Sequence, residues 1–164
     1  MAIFQAELRG AAQRSVGRAP LTKRAGQASA FLCHSHVDRE LALGLQTALR
    51  EHGLDLYIDW QDGTMPTTPN AETANKLRQR IVGCDLFLFL ATENSMKSRW
   101  CPWELGYADG KKQNDRIVVV PTSDGYTTHG SEYLGLYRHI DKTAATGYEV
   151  FKPGSINGSP VRTL

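Results

Sequence analysis

The stretch SRWCPWELGYADG, residues 98–110, sets two tryptophans, a cysteine and a proline around one carboxylate, Glu104. Pro102 has no N–H to give a helix interior but fits a first turn, so a helix starts close to Cys101. Glu104 then falls in that first turn, where the positive end of the helix dipole favours an ionised carboxylate. Many first-turn glutamates do nothing more than stabilise a helix start. The indoles weigh against so plain a role. Trp100 and Trp103 are costly to expose and need apolar cover with their N–H groups paired. One of them suits a core, but both on one solvated helix start would be unusual. A carboxylate beside aromatic faces suits a flat cationic ring leaving a sugar. Aromatic faces attract cations, and a carboxylate stabilises the oxocarbenium-like charge on the sugar carbon or holds ribose hydroxyls. A pyridinium departs as a neutral molecule and needs no proton. One carboxylate then suffices where an ordinary glycosidase uses a pair, and no second acid stands at motif spacing here.

Other residues of chemical interest carry two readings each. His34 and His36 flank Ser35, but no acidic third member is evident, which argues against a serine hydrolase. Ser35 either donates a hydrogen bond to substrate or caps the following helix. Asp59 and Trp60 close a strand, and Asp59 either contacts a ribose or caps the loop. Cys101 reads as a small buried residue rather than a nucleophile. Tyr107 and Asp109 read as ordinary helix residues. The segment GLYRHI has no second histidine at ligand spacing, so no metal site is expected.

The elements that must position these residues follow from periodicity. AFLCHS (30–35), LDLYID (54–59), CDLFLFLA (84–91) and DRIVVVPT (115–122) read as strands, with a short helix or fifth strand near Tyr137–Ile140. VDRELALGLQTALREHG (37–53) places Leu41, Leu45 and Leu49 four apart, with Asp38 as N-cap and Gly53 as stop. AETANKLRQRIVG (71–83) reads as a second helix, and WELGYADGKK as the third. WQDGTMPTTPN (60–70) holds a glycine and two prolines and must be a loop. Strands alternating with helices imply an α/β fold: a five-stranded parallel sheet with helices on both faces and the flavodoxin-like order 2-1-3-4-5. Ligands in such sheets sit beyond the carboxyl ends of strands 1 and 3. Here those ends are His34–Ser35 and Ala91–Thr92, and Trp100 and Glu104 follow directly after the second.

With 164 residues, 41% of them apolar and 22% charged, the chain fits one domain of ordinary globular composition. The net charge of +2 does not point to nucleic acid, although Arg9, Arg14, Arg18, Lys23 and Arg24 against Glu7 make residues 1–29 net +4. Residues 1–28 read as a basic helical extension and linker, despite a composition like that of a transit peptide. Residues 29–164 read as the domain, ending in a weakly patterned tail. Three cysteines without CxxC spacing fit a reducing cytoplasm rather than a disulfide framework. No apolar run reaches the length needed to cross a bilayer.

AFLCHSHVDRELALGLQTALREHGLDLYIDW, CDLFLFLATENSMKSRWCPWELGYADG and the Pro-containing loop between them resemble a bacterial Toll/interleukin-1 receptor (TIR) domain over roughly residues 29–140. The most specific element is the W-x-x-x-E spacing from Trp100 to Glu104, and MAIFQAELRGAAQRSV resembles the leader of stand-alone bacterial members. The resemblance implies the flavodoxin-like sheet and an NAD+ glycohydrolase or ADP-ribose cyclase with Glu104 as the catalytic glutamate. It implies substrate contacts at Trp100, His34 and Ser35, to which the strand-end residues Asp59, Trp60 and Thr92 are added as candidates; no metal is expected, and no cofactor, since NAD+ is the substrate. It implies that residues 59–70 form the BB loop, which gates the site and makes head-to-tail contacts between copies. It also implies anti-phage defence, with a downstream effector sensing a cyclic ADP-ribose product as in Thoeris systems. Some members are adaptors or host-mimicking effectors without activity, so a non-catalytic TIR–TIR interaction module is the alternative. A nucleoside deoxyribosyltransferase-like enzyme, with a similar sheet and a catalytic glutamate, is a further one.

Overall fold

Alternation along three strands decides the architecture. In β2 (Ser29–Cys33), β4 (Leu86–Ala91) and β5 (Ile117–Ser123) successive side chains point to opposite faces of the sheet. Ala30, Leu32, Leu86, Leu88, Leu90, Val118 and Val120 enter one buried cluster. Phe31, Cys33, Phe87, Phe89, Ala91, Ile117 and Val119 enter another. Strands apolar on both faces must be covered on both, which is the condition of a parallel sheet between helical layers. The computed structural model describes residues 1–15, 28–66, 68, 70–144 and 147–164.

Helix α2 (Arg39–Glu51) supplies Leu41, Leu45 and Leu49 to the first cluster. Helices α3 (Ala71–Gly83) and α5 (Trp100–Lys111) cover the other face with Leu77, Ile81, Cys101, Leu105 and Ala108. A short α4 (Glu93–Lys97), absent from the sequence reading, stands between β4 and α5. Strands β3 (Asp55–Tyr57) and β7 (Arg138–Thr143) complete a parallel run in the order β3-β2-β4-β5-β7.

The sheet is larger than the five parallel strands expected. β8 (Gly147–Phe151) and β9 (Gly158–Pro160) continue it in antiparallel fashion, and β1 (Ile3–Phe4) and β6 (Thr128–His129) pair with the end of β5, giving nine strands among the described residues. The tail is therefore part of the sheet. Its alternation is weak because only Tyr148 and Val150 of β8 reach the core.

The N-terminal segment is not a separable extension either. Helix α1 (Gln5–Ser15) begins two residues after Ile3, and both Ile3 and Leu8 are fully buried in the first cluster. The Met1 amino group bonds Asp141 at 2.8 Å, and Gln5 Nε2 donates to Thr122 Oγ1 at 3.1 Å. The seat for α1 is Gly44, in the middle of α2: a Cβ there would lie 1.9 Å from the Leu8 carbonyl oxygen. The linker expected between α1 and β2 falls at residues 16–27, outside the described residues.

Gly44 provides a test of this packing whose sign is informative. In a free helix Gly→Ala stabilises by about 0.5–1 kcal/mol. Here Gly44→Ala is expected to lower stability by about 1–3 kcal/mol, because the methyl group forces α1 away from α2. A thermal melt above that of the unmodified chain would show that α1 is not seated there.

Candidate functional site

The chain leaves β2 toward one face of the sheet and β4 toward the other, so a crevice opens between the two strand ends. A cleft of about 190 Å³ occupies this position. Its wall is made by His34, His36 and Arg39 after β2, Asp59 and Trp60 after β3, Thr73 and Leu77 of α3, and Ser98, Trp100 and Glu104 at the start of α5. That volume is below the ~300–1,000 Å³ of pockets that enclose a whole drug-sized ligand.

Glu104 is 7% exposed. Helix α5 starts at Trp100, so Pro102 lies in its first turn and Glu104 in the second, one residue later than the sequence reading put it. On a helix, Cys101, Glu104, Leu105 and Ala108 share one face, and all four are buried. Glu104 thus occupies the apolar stripe of its own helix. Burial pushes its carboxyl well above the ordinary carboxylate value, opposed by a hydrogen bond from the Cys33 thiol and reinforced by Cys101 and Asp59. Desolvation here outweighs the helix dipole that the sequence reading relied on.

The two tryptophans divide their work. Trp103 is partly buried against the α3–α5 core, with Tyr107 stacked on it at 6.0 Å and the Arg78 guanidinium at 5.2 Å from its ring. Trp100 meets Trp103 edge-on at 5.4 Å, remains 38% exposed, and lines the cleft. Ser98 sets this start, its hydroxyl accepting from the Trp100 and Cys101 N–H groups.

His34 is held by one nitrogen. Nδ1 lies 3.1 Å from the Leu32 carbonyl oxygen, while Nε2 is buried without a hydrogen-bond partner, 3.9 Å from Asp59 Oδ1. The acidic neighbour missing from the sequence reading is therefore Asp59, brought in by the β2–β3 pairing. Asp59 also accepts from the Trp60 N–H at 2.8 Å, closing the turn Asp59–Gln61. Trp60 carries the Arg39 guanidinium over its ring at 5.4 Å, and its own Nε1 is buried without a partner.

Two expected substrate contacts lie elsewhere. Ser35 is buried and accepts from the Val37 N–H at 3.4 Å, capping the turn that leads into α2. Thr92 is buried and absent from the cleft wall. Its Oγ1 donates to Asp38 Oδ2 at 2.5 Å and accepts from the Ser95 N–H, forming a capping box at α4. Asp38, read as the N-cap of α2, makes no such bond; it also accepts from Asn94 Nδ2 at 2.7 Å. Arg39, Thr73, Leu77 and Ser98 line the cleft without having been singled out in the sequence. Only the hydroxyl of Ser98 just ahead of a tryptophan and a proline carried a readable signal, as a cap.

The loop after Asp59 is anchored by Asp62, which accepts from Thr64, from the Tyr57 hydroxyl at 2.7 Å and from Arg80 at 2.8 Å. These bonds hold its carboxyl well below the usual range, with Thr64 contributing most and Tyr57 next. Thr67 and Pro69 of this loop are outside the described residues. Among the described residues no three His, Cys, Asp or Glu side chains gather as a metal site, and no helix is long and apolar enough to cross a membrane.

Buried Glu104 makes stability depend on pH in a defined direction. Its folded pKa stands above the unfolded value near 4.5, so the native chain holds the proton more tightly. Stability is then greatest below 4.5 and falls as pH rises through the folded pKa. Glu104→Gln removes this burden at nearly constant shape. The variant is expected to melt above the unmodified chain at pH 7.5, with a gap that narrows toward pH 4.5. An equal gap at both values would show that Glu104 titrates as an exposed carboxyl.

Comparison with known proteins places this geometry. The TIR domain family profile matches residues 30–149. The curated "Probable 3' cyclic ADP-D-ribose synthase ThsB'" of Bacillus cereus (strain MSX-D12) is 41% identical over 115 residues, or 68% of this chain and 60% of that protein. The match thus spans less than two thirds of the relative's own length. With strands β3 to β7 and every cleft residue inside the matched segment, the chain belongs to the TIR domain family.

Proposed function

We propose that this chain cleaves the bond between nicotinamide and ribose in NAD+, giving linear or cyclic ADP-ribose. The observation that carries the reading is a single carboxyl, Glu104, almost wholly withdrawn from water in a cleft walled by Trp100. A similar chain named as a cyclic ADP-ribose synthase supports it.

In this reading the nicotinamide ring lies against Trp100 and its ribose faces Glu104. The ring's positive charge attracts the indole face and lowers the pKa of the nearby buried carboxyl. Substrate entry therefore favours the ionised form that the reaction needs. As the C–N bond lengthens, the carboxylate stabilises positive charge growing on the sugar carbon, in a site poor in water where such stabilisation is strong. Nicotinamide leaves with the bonding electrons as a neutral ring. Water or a hydroxyl of the bound product then captures the sugar carbon. Asp59, beside His34, is placed to hold ribose hydroxyls.

The cleft is too small to enclose a dinucleotide, so the adenosine half extends beyond it. This fits a site completed by a second copy through residues 59–70, with the copies joined head to tail. We place the protein in the cytoplasm, in anti-phage defence, with an effector that senses a cyclic product; no nucleic acid or membrane takes part.

Chromatography of NAD+ incubated with the concentrated chain tests the proposal. Nicotinamide should appear together with linear or cyclic ADP-ribose, and Glu104→Gln should reduce its release by at least ~100-fold. Folded wild-type protein that leaves NAD+ intact at every concentration would reduce the chain to an interaction module. Assembly control predicts that activity per molecule rises with protein concentration, and a constant value over a hundredfold dilution would exclude it.

A further inference from the structure

His34 poses a problem that the cleavage step leaves unsolved. Its ring is buried, with the side chain 3% exposed, and Nε2 has no hydrogen-bond partner. Burying a polar nitrogen without a partner destabilises a fold, so such an atom calls for an explanation. The other nitrogen settles the tautomer. A carbonyl oxygen can only accept, so Nδ1, 3.1 Å from the Leu32 carbonyl, carries the ring proton. In that tautomer Nε2 carries the lone pair, on a residue that lines the same cleft as Glu104.

From this geometry we infer that His34 is the general base of the capture step, taking the proton from the oxygen that attacks the sugar carbon. The inference rests on the NAD+-cleaving reading above and assigns a step which that reading leaves without a residue. Glu104 cannot serve both needs well, because it must stay ionised against the developing cation while the nucleophile attacks. Asp59 is partly exposed, and one of its oxygens already accepts from the Trp60 N–H.

The step balances as follows. The C–N bond to nicotinamide breaks and its electron pair leaves with the neutral ring. A C–O bond forms from water or from a ribose hydroxyl at the adenosine end. The proton of that oxygen passes to Nε2, and the imidazolium faces Asp59 Oδ1 at 3.9 Å until the proton is released to solvent. The sum is NAD+ and water going to nicotinamide, ADP-ribose and one proton, or NAD+ alone going to nicotinamide, the cyclic product and one proton. The same base would serve both nucleophiles, so the partition between products rests on which oxygen reaches the sugar carbon beside Nε2.

A nucleophile without a proton separates this role from a structural one. The nitrogen of 3-acetylpyridine can capture the same cation and has no proton to lose. Wild type, His34→Ala and His34→Gln would be incubated with NAD+ and 3-acetylpyridine, with hydrolysis, cyclisation and ring exchange followed in one chromatogram. In both variants hydrolysis and cyclisation should fall about a hundredfold or more, while exchange stays within a few-fold of wild type. Retained exchange also shows that the variants fold and bind substrate. Loss of all three products in parallel, or retention of all three, would overturn the assignment. Wild-type protein that neither cleaves nor exchanges NAD+ would remove the reaction and its base together, and is recognisable as a failure of the first reading.

Discussion

Everything at the site depends on a carboxyl held out of water by its own helix. Glu104 shares a face with Cys101, Leu105 and Ala108, and that face is the one α5 turns toward the sheet. The usual residue at such a position is apolar, because a buried carboxyl either loses its charge or needs a partner. Here the neighbours are two cysteines and a partly exposed aspartate, none of which can neutralise it. A conflict of this kind between position and residue type is what a functional site produces when local rules are otherwise obeyed.

A second constraint keeps that carboxyl in register with the opposite wall. Asp38 lies after β2 and Thr92 directly after β4, and the 2.5 Å bond between them ties the two loops that the topology sends to opposite faces. Asn94 adds a second bond to the same carboxylate. Asp38 is thereby withdrawn from capping α2, and the serine three residues earlier caps the short turn His36–Asp38 that leads into it. Thr92 in turn caps α4. His34 and the start of α5 are thus fixed relative to one another by polar bonds beneath the cleft rather than within it. His34 Nε2 and Trp60 Nε1, on two residues of the cleft wall, have no hydrogen-bond partner among the described residues.

Much of this was legible in the sequence, for reasons that also explain what was missed. Runs such as CDLFLFLA announce strands buried on both faces, and a sheet of parallel strands brings the ends of β2, β3 and β4 to one rim. Trp100, Glu104, His34, Asp59 and Trp60 come together for that reason. Residues on helix flanks, such as Arg39, Thr73 and Leu77, reach the cleft only through the angle at which α2 and α3 pack, which local pattern does not encode. Ser35 and Thr92 serve as caps because hydroxyls at strand ends suit substrates and helix caps equally well; the cap was one of the two readings of Ser35, and the deciding partner of Thr92 is 54 positions away. The docking of α1 was hidden in Gly44, whose missing side chain reads as a weakness in a helix until another backbone is seen against it.

The same burial that marks Glu104 also sets the conditions under which it can act. In the empty cleft, desolvation favours the protonated, uncharged form. An uncharged carboxyl offers little to a developing cation, so on the proposed reading an arriving positive charge favours the form that acts. A pyridinium ring brings that charge, and a reduced, neutral nicotinamide does not. On the proposed reading, discrimination between the oxidised and reduced dinucleotide needs no contact that senses the shape of the ring. It follows from electrostatics: the ligand that can be cleaved is also the one whose entry switches the carboxyl on. Trp100 strengthens the preference, since an aromatic face gains more from a cation than from a neutral ring of the same outline. Closure of the half-open side of the cleft by another surface would sharpen both effects, because excluding water raises the weight of every charge inside.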